Sequence, residues 1–200
     1  MPPTRFTRAE LEAFAGATVA DLIGDPTVSP VKLLFVGINP GLWTAAVNAH
    51  FARRGNRFWP ALYRAGITSA EVDASGGMPE WAREELVAKG IAITNLVPVA
   101  TARADELTAG QLHDGGARLR RLVADVRPRV VAMLGLTAFR VAYGARTAPL
   151  GRSAEKFEGA ELWLLPNPSG LNAHHSVDSL ADWYGRAADA AGIHRTPALR

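Results

Sequence analysis

The 200-residue chain has no cysteine, which excludes disulfide frameworks, thiolate metal sites, cysteine nucleophiles and iron–sulfur clusters. Lysine is nearly as scarce, with Lys32, Lys89 and Lys156 set against 19 arginines. That bias has two readings: arginine forks suit phosphates and base edges, and an Ala- and Arg-rich chain also follows from genomic base composition alone. No run approaches the ~18 apolar residues of a membrane span. The N-terminal Met-Pro-Pro-Thr-Arg-Phe-Thr-Arg-Ala-Glu-Leu-Glu has no apolar signal segment, so a cytoplasmic protein with no membrane partner is expected. No Gly-x-Gly-x-x-Gly follows the first apolar run, and no Gly-Lys-Ser/Thr phosphate cradle occurs. No cofactor or metal is expected.

What is present is ordinary globular composition, 48% apolar, with a formal charge of +3 and a pI near 9.7. This permits nucleic-acid binding without requiring it. Four runs are almost wholly apolar: Lys32–Gly37, Ile91–Val97, Arg129–Gly135 and Glu161–Pro166. Strands buried on both faces read this way. Between them, Phe58, Ala61, Leu62 and Ala65 share one helical face, and Leu119, Leu122, Val123 and Val126 another. A first helix is expected from Arg8 to about Ile23, and a last one after Ser176 as N-cap, with Val177, Leu180, Ala181, Tyr184 and Ala188 inward. The fold expected is α/β: a three-layer α/β/α domain over residues 1–200 with a short, mostly parallel central sheet of four to five strands. Residues 1–30 form its N-terminal helix and lead-in, and 194–200 a flexible tail.

Ligands of open parallel sheets bind at the carboxyl ends of the strands. There the first run exits into Gly37-Ile-Asn-Pro-Gly-Leu42, the second carries Thr94-Asn95, and the fourth exits into Pro166-Asn-Pro-Ser-Gly-Leu171. Asn39, Asn95 and Asn167 should therefore share one rim. An amide offers donors and an acceptor, which suits a neutral ligand with mixed edges, such as a nucleobase, better than a phosphate or a metal. Asn beside Pro is also plain turn chemistry, but two related Asn-Pro elements, each directly after a buried strand, argue for more.

Gly37-Ile38-Asn39-Pro40-Gly41-Leu42, then Asn56-Arg57-Phe58-Trp59, then Asn167-Pro168-Ser169-Gly170-Leu171 resemble the mismatch-specific uracil-DNA glycosylase and thymine-DNA glycosylase family of the uracil-DNA glycosylase superfamily. The resemblance runs from about Val31 to Tyr184, and the family fold is the three-layer one already expected. It implies that Asn39 positions the water attacking the sugar C1′, that Phe51 stacks on the flipped base, and that Ile38 and Gly41 bring backbone groups to it. It places Thr44 near the pyrimidine C5 position. It also implies that Ser169, Gly170, Leu171 and Asn172 form the element entering the duplex, with Leu171 filling the gap left by the extruded nucleotide. An amide is no strong general base, so such an enzyme should be slow.

Other residues keep two readings. Arg53 and Arg54 either hold phosphates flanking the flipped nucleotide or form a solvated face, and Asn167 either faces the base or caps the turn before Pro168. Asn95 could assist the leaving base, supplement Asn39 or satisfy a strand end. Arg57 is expected to pair inside the fold, while Arg118, Arg120 and Arg121 belong to a solvated helix face. After Leu171 the chain runs Asn172-Ala173-His174-His175 where bacterial members carry Ser-Arg, so the arginine contact to the opposite guanine is missing. The acidic water-activating motif and the His-Pro-Ser motif of the fast uracil-specific branch are missing too.

The function expected is a monofunctional DNA glycosylase in base-excision repair. Its partner is double-stranded DNA with uracil opposite guanine, with thymine and etheno-cytosine as further candidates, and it should work as a monomer. The alternatives are a mismatch or abasic-site binding protein with little turnover, and an enzyme of free nucleosides.

Overall fold

The computed structural model describes residues 5–170 and 174–196. Five strands form one sheet: β1 (Leu33–Gly37), β2 (Ile91–Asn95), β3 (Val130–Leu134), β4 (Gly151–Phe157) and β5 (Ala160–Leu165), in the spatial order β2-β1-β3-β5-β4. The four apolar runs pair in parallel, with Leu33 opposite both Ile91 and Val130, and Val130 opposite Glu161. The helices are α1 (Arg8–Glu12), α2 (Leu42–Val47), α3 (Phe58–Arg64), α4 (Glu80–Ala88), α5 (Ala109–Val126), α6 (Leu136–Tyr143) and α7 (Val177–Ala191).

Alternation along each strand explains the three layers. Leu33, Phe35, Ile91, Ile93, Val130 and Ala132 point toward α3, α4 and α7. Leu34, Val36, Ala92, Val131 and Met133 point toward α5 and α6. Covered on both faces, the central strands have no position where a polar side chain would reach water. On the first side Phe35, Phe58 and Tyr184 meet edge-on or tilted at 5.3–5.9 Å. Ser176 caps α7 by accepting from the Ser179 N–H, with Leu180, Ala181, Tyr184 and Ala188 buried as expected. Thr108 and Gln111 close a capping box on α5. Among the described residues, no helix is long and apolar enough to cross a membrane.

One expectation is corrected. The first helix stops at Glu12 rather than near Ile23, because the chain turns at Gly16 (φ 79°), whose N–H donates to the Ala100 carbonyl. Thr18 then bridges Val99, and Leu22 exchanges both backbone hydrogen bonds with Ile93, so this segment covers the outer edge of β2. The fifth strand, β4, has no apolar run to announce it and brings the sheet to the upper end of the four to five strands expected. It is a mostly exposed edge joined antiparallel to β5 through Glu158 and Gly159, both at positive φ, as a tight hairpin requires. Beyond α7, Arg195 pairs with Asp189 and donates to the Ala65 carbonyl, and the Thr196 N–H donates to the Gly66 carbonyl, while residues 197–200 of the tail lie outside the described residues.

Candidate active site

The carboxyl ends of β1, β2 and β5 open onto one cleft of about 330 Å³, lined by Ile38, Asn39, Gly41, Thr44, Phe51, Arg53, Asn95, Asn167 and Ser169 from the expected set. The structure brings the three asparagines together. Pairing continues past the strands: Leu96 and Val97 N–H groups donate to the Gly37 and Ile38 carbonyls, and the Thr101 N–H donates to Pro40. This zipper fixes Asn39 beside the segment 99–103.

Asn39 is held by its nitrogen. Nδ2 reaches Thr101 Oγ1 at 2.7 Å, the Pro40 carbonyl at 3.1 Å and the Val99 carbonyl at 3.2 Å. The Thr101 hydroxyl donates onward to the Arg103 carbonyl at 2.7 Å, so its oxygen receives the Asn39 hydrogen. Carbonyls only accept, so the amide has one orientation, with Oδ1 left as a free acceptor in the cleft. Such an oxygen can orient a water or a sugar hydroxyl but cannot take its proton. The cleft's one carboxylate among the described residues, Asp105, is committed to Arg103.

Asn95 is 5% exposed. Its Nδ2 lies 3.3 Å from Nδ1 of His50, and His50 Nε2 lies 3.0 Å from the Ala20 carbonyl. Its backbone carbonyl accepts from Arg118, which also pairs with Asp21 at 2.7 Å. A Cβ at Gly37 would sit 2.5 Å from Asn95 Oδ1 and 3.2 Å from the Phe51 ring. Glycine there makes room for both groups in the floor of the cleft. Burial pushes the His50 pKa below its usual value, against the pull of the Ala20 carbonyl and Asp21. His50 is thus a neutral ring at pH near 7.

Phe51 has φ 54°, a left-handed conformation costing a bulky residue on the order of 1–2 kcal/mol. The Phe58 ring holds it there, stacked at 4.0 Å and 24°. One side of Phe51 is thus spent on the core, and the residue also borders the cleft. Thr44 is buried in the first turn of α2, whose N-cap is Gly41.

Asn167 satisfies parts of both its readings: Oδ1 accepts from the Ser169 N–H at 2.8 Å, closing the turn at Pro168, and the residue also lines the cleft. Arg57, on the N-terminal side of α3, donates to the His175 carbonyl at 2.8 Å and to the Gly170 carbonyl at 3.3 Å. It thereby grips both sides of the second motif. Leu171 and Asn172 lie outside the described residues. Arg53 is exposed on the cleft rim, whereas Arg54 lines a neighbouring recess with Asp73.

One arginine expected on a solvated face is not there: Arg118 is the half-buried partner of Asp21. Arg120 is exposed as expected, pairing with Glu158 while lying over Tyr143 and Phe157 at about 5 Å. Sequence reasoning also passes over Thr101, Arg103 and His50. No local pattern marks the first two, and only adjacency to Phe51 points to the third. Among the described residues no group of three His, Cys, Asp or Glu gathers as a metal site.

The family model of the uracil DNA glycosylase superfamily matches residues 26–188. The chain belongs to that superfamily. Its members are DNA glycosylases, hydrolases of base-excision repair acting on uracil-type bases in DNA. The matched span includes all three asparagines, so the cleft of this glycosylase is assembled wholly from superfamily sequence.

Proposed function

We propose that this glycosylase is of the mismatch-directed kind, removing uracil from duplex DNA where it stands opposite guanine, with thymine and etheno-cytosine as further bases. The observation that carries the reading is Asn39, held at Nδ2 by three acceptors with Oδ1 free in the cleft. That oxygen accepts from a water and aims it at C1′. As the water oxygen bonds to C1′, the C1′–N1 bond breaks and its electron pair leaves with the base. The anionic base is stabilised by neighbouring N–H groups, at Ile38 and Gly41 among others, and the water's proton passes to solvent. With the cleft's carboxylate, Asp105, committed to Arg103, the rate depends on the leaving group.

Phe51 stacks on the extruded base, Thr44 faces its C5 side, and Asn95 and Asn167 read its edge. Ser169, Gly170, Leu171 and Asn172 occupy the vacated space in the duplex, while Arg53 and Arg54 hold phosphates. Leu171 and Asn172 enter through the family motif alone. Among the described residues no lysine lines the cleft, which supports simple hydrolysis without a Schiff base. The enzyme acts as a monomer in the cytoplasm, on the nucleoid when bound to DNA.

Single-turnover release from duplexes with uracil opposite guanine or adenine, beside a single-stranded control, tests the reading. Release confined to the guanine duplex is expected. Equal release from all three would remove the guanine preference, and tight duplex binding without release would make the protein a lesion binder.

A further inference from the structure

His50 does not itself line the cleft, yet its ring chemistry determines what Asn95, which does, presents there. The Ala20 carbonyl, 3.0 Å from Nε2, can only accept, so the proton of the neutral ring sits on Nε2. Nδ1 is then a lone pair, and the group 3.3 Å away must donate to it. That assigns the Asn95 nitrogen to His50 and the oxygen to the other side, over Gly37 and next to Phe51. The Asn95 backbone cannot shift to compensate. It is paired with Gly37 in the sheet, and its carbonyl is held by Arg118. The one freedom left is a half-turn of the amide, which would set Oδ1 against the Nδ1 lone pair.

We propose that His50 is a specificity-determining positioning residue, its Nδ1 lone pair locking Asn95 with oxygen toward the cleft, so that the site favours a base edge carrying a ring N–H over one carrying a ring acceptor. Uracil-type bases present such an N–H; cytosine-type bases present a ring nitrogen lone pair and an exocyclic amine. This rests on the proposed function in taking Asn95 as a base-reading residue. Protonating His50 would reverse the lock, since Nδ1 would then donate and attract Oδ1. Burial of the ring opposes that reversal, and Asp21, the nearby charge that would favour it, has its carboxylate bound by Thr94 and Arg118, while Phe51 is apolar and Trp59 donates to the His50 carbonyl.

The test compares binding of two non-cleavable duplexes carrying 2′-fluoro-arabino uridine or 2′-fluoro-arabino cytidine opposite an abasic spacer, so that pairing with the opposite base drops out. The wild type should prefer the uridine analogue. His50→Phe, which cannot accept, should lower that preference by about tenfold or more, whereas His50→Gln, which can accept from Asn95 and donate to Ala20, should restore it. The ¹⁵N signals of the His50 ring in the wild type should show the Nε2–H tautomer. An Nδ1–H tautomer, or an unchanged preference in folded His50→Phe, would overturn the proposal while leaving uracil release by the wild type intact. Absence of uracil release from the wild type would instead overturn the functional reading beneath it.

Discussion

Asn39→Asp exchanges an NH₂ group for an oxygen of nearly the same size, so its consequences come almost entirely from hydrogen-bond polarity. The nitrogen it replaces lies 3.1 and 3.2 Å from two carbonyl oxygens and 2.7 Å from the Thr101 hydroxyl. A carboxylate there loses the two donations to carbonyls and faces their negative ends. Losing the donated bonds at this half-buried site costs about 1–2 kcal/mol at any pH, and alanine would lose as much. Aspartate adds a pH-dependent part. The carbonyls raise the folded-state pKa above the unfolded ~3.9, and a rise of one to two units is worth about 1.4–2.7 kcal/mol. Below the unfolded pKa the carboxyl is neutral in both states and the extra penalty is absent. As the pH rises, the unfolded chain ionises first, so the deficit widens until the folded carboxyl also ionises. Urea unfolding of wild type, Asn39→Ala and Asn39→Asp from about pH 4 to about pH 8 should therefore show a constant gap for alanine and a growing one for aspartate. Single-turnover uracil release by Asn39→Ala should fall roughly 10²–10⁴-fold, with binding of a non-cleavable duplex nearly kept. An aspartate variant as stable as the wild type at neutral pH would refute the orientation assigned to the amide. A fast alanine variant would refute its role with water.

Gly37→Ala puts a Cβ 2.5 Å from Asn95 Oδ1 and 3.2 Å from the Phe51 ring, which should displace both at a stability cost of about 1–3 kcal/mol. Uracil release should suffer far more than folding, and an active Gly37→Ala enzyme would show that Asn95 and Phe51 do not meet the base. Arg57→Gln frees the carbonyls of Gly170 and His175, so release from duplex should drop about tenfold more than release from single strands. Equal losses on the two substrates would make Arg57 purely structural. Stability should also decline in acid, because His50 is held neutral below its usual pKa. Its contribution is complete above about pH 6.5 and is lost as pH falls toward and through the folded-state value. A wild-type acid profile matched by His50→Gln would assign that loss elsewhere.

Much of this was legible in the sequence where burial leaves only one kind of residue permissible. The four parallel strands announce themselves because helices cover both faces. β4 does not, since an edge strand with residues such as Arg152, Glu155 and Lys156 in solvent looks like loop. Leu11, Phe14 and Val19 fit a helix by spacing alone, but Gly16 and the pull of the β2 edge turn that segment into an extended one. Asn39, Asn95 and Asn167 are findable because strand ends in a parallel sheet gather at one rim. What holds them is not. Thr101 lies 62 residues from Asn39 and His50 45 from Asn95, so these pairings exist only once the sheet has formed. Arg118 reads as a solvent-facing charge until Asp21, 97 residues away, is packed beside it.

The left-handed turn at Phe51 has one more consequence. Because its ring is already fixed against Phe58, a Phe51 that stacks on the extruded base, as proposed, needs no ordering when a nucleotide arrives. The entropy of assembling a stacking surface is spent during folding, and what remains to be spent at the moment of capture falls on the DNA, which must unstack and turn its base outward. A lesion that weakens its own pairing shortens that task, so discrimination between damaged and intact bases begins in the duplex, before any side chain of the cleft is touched.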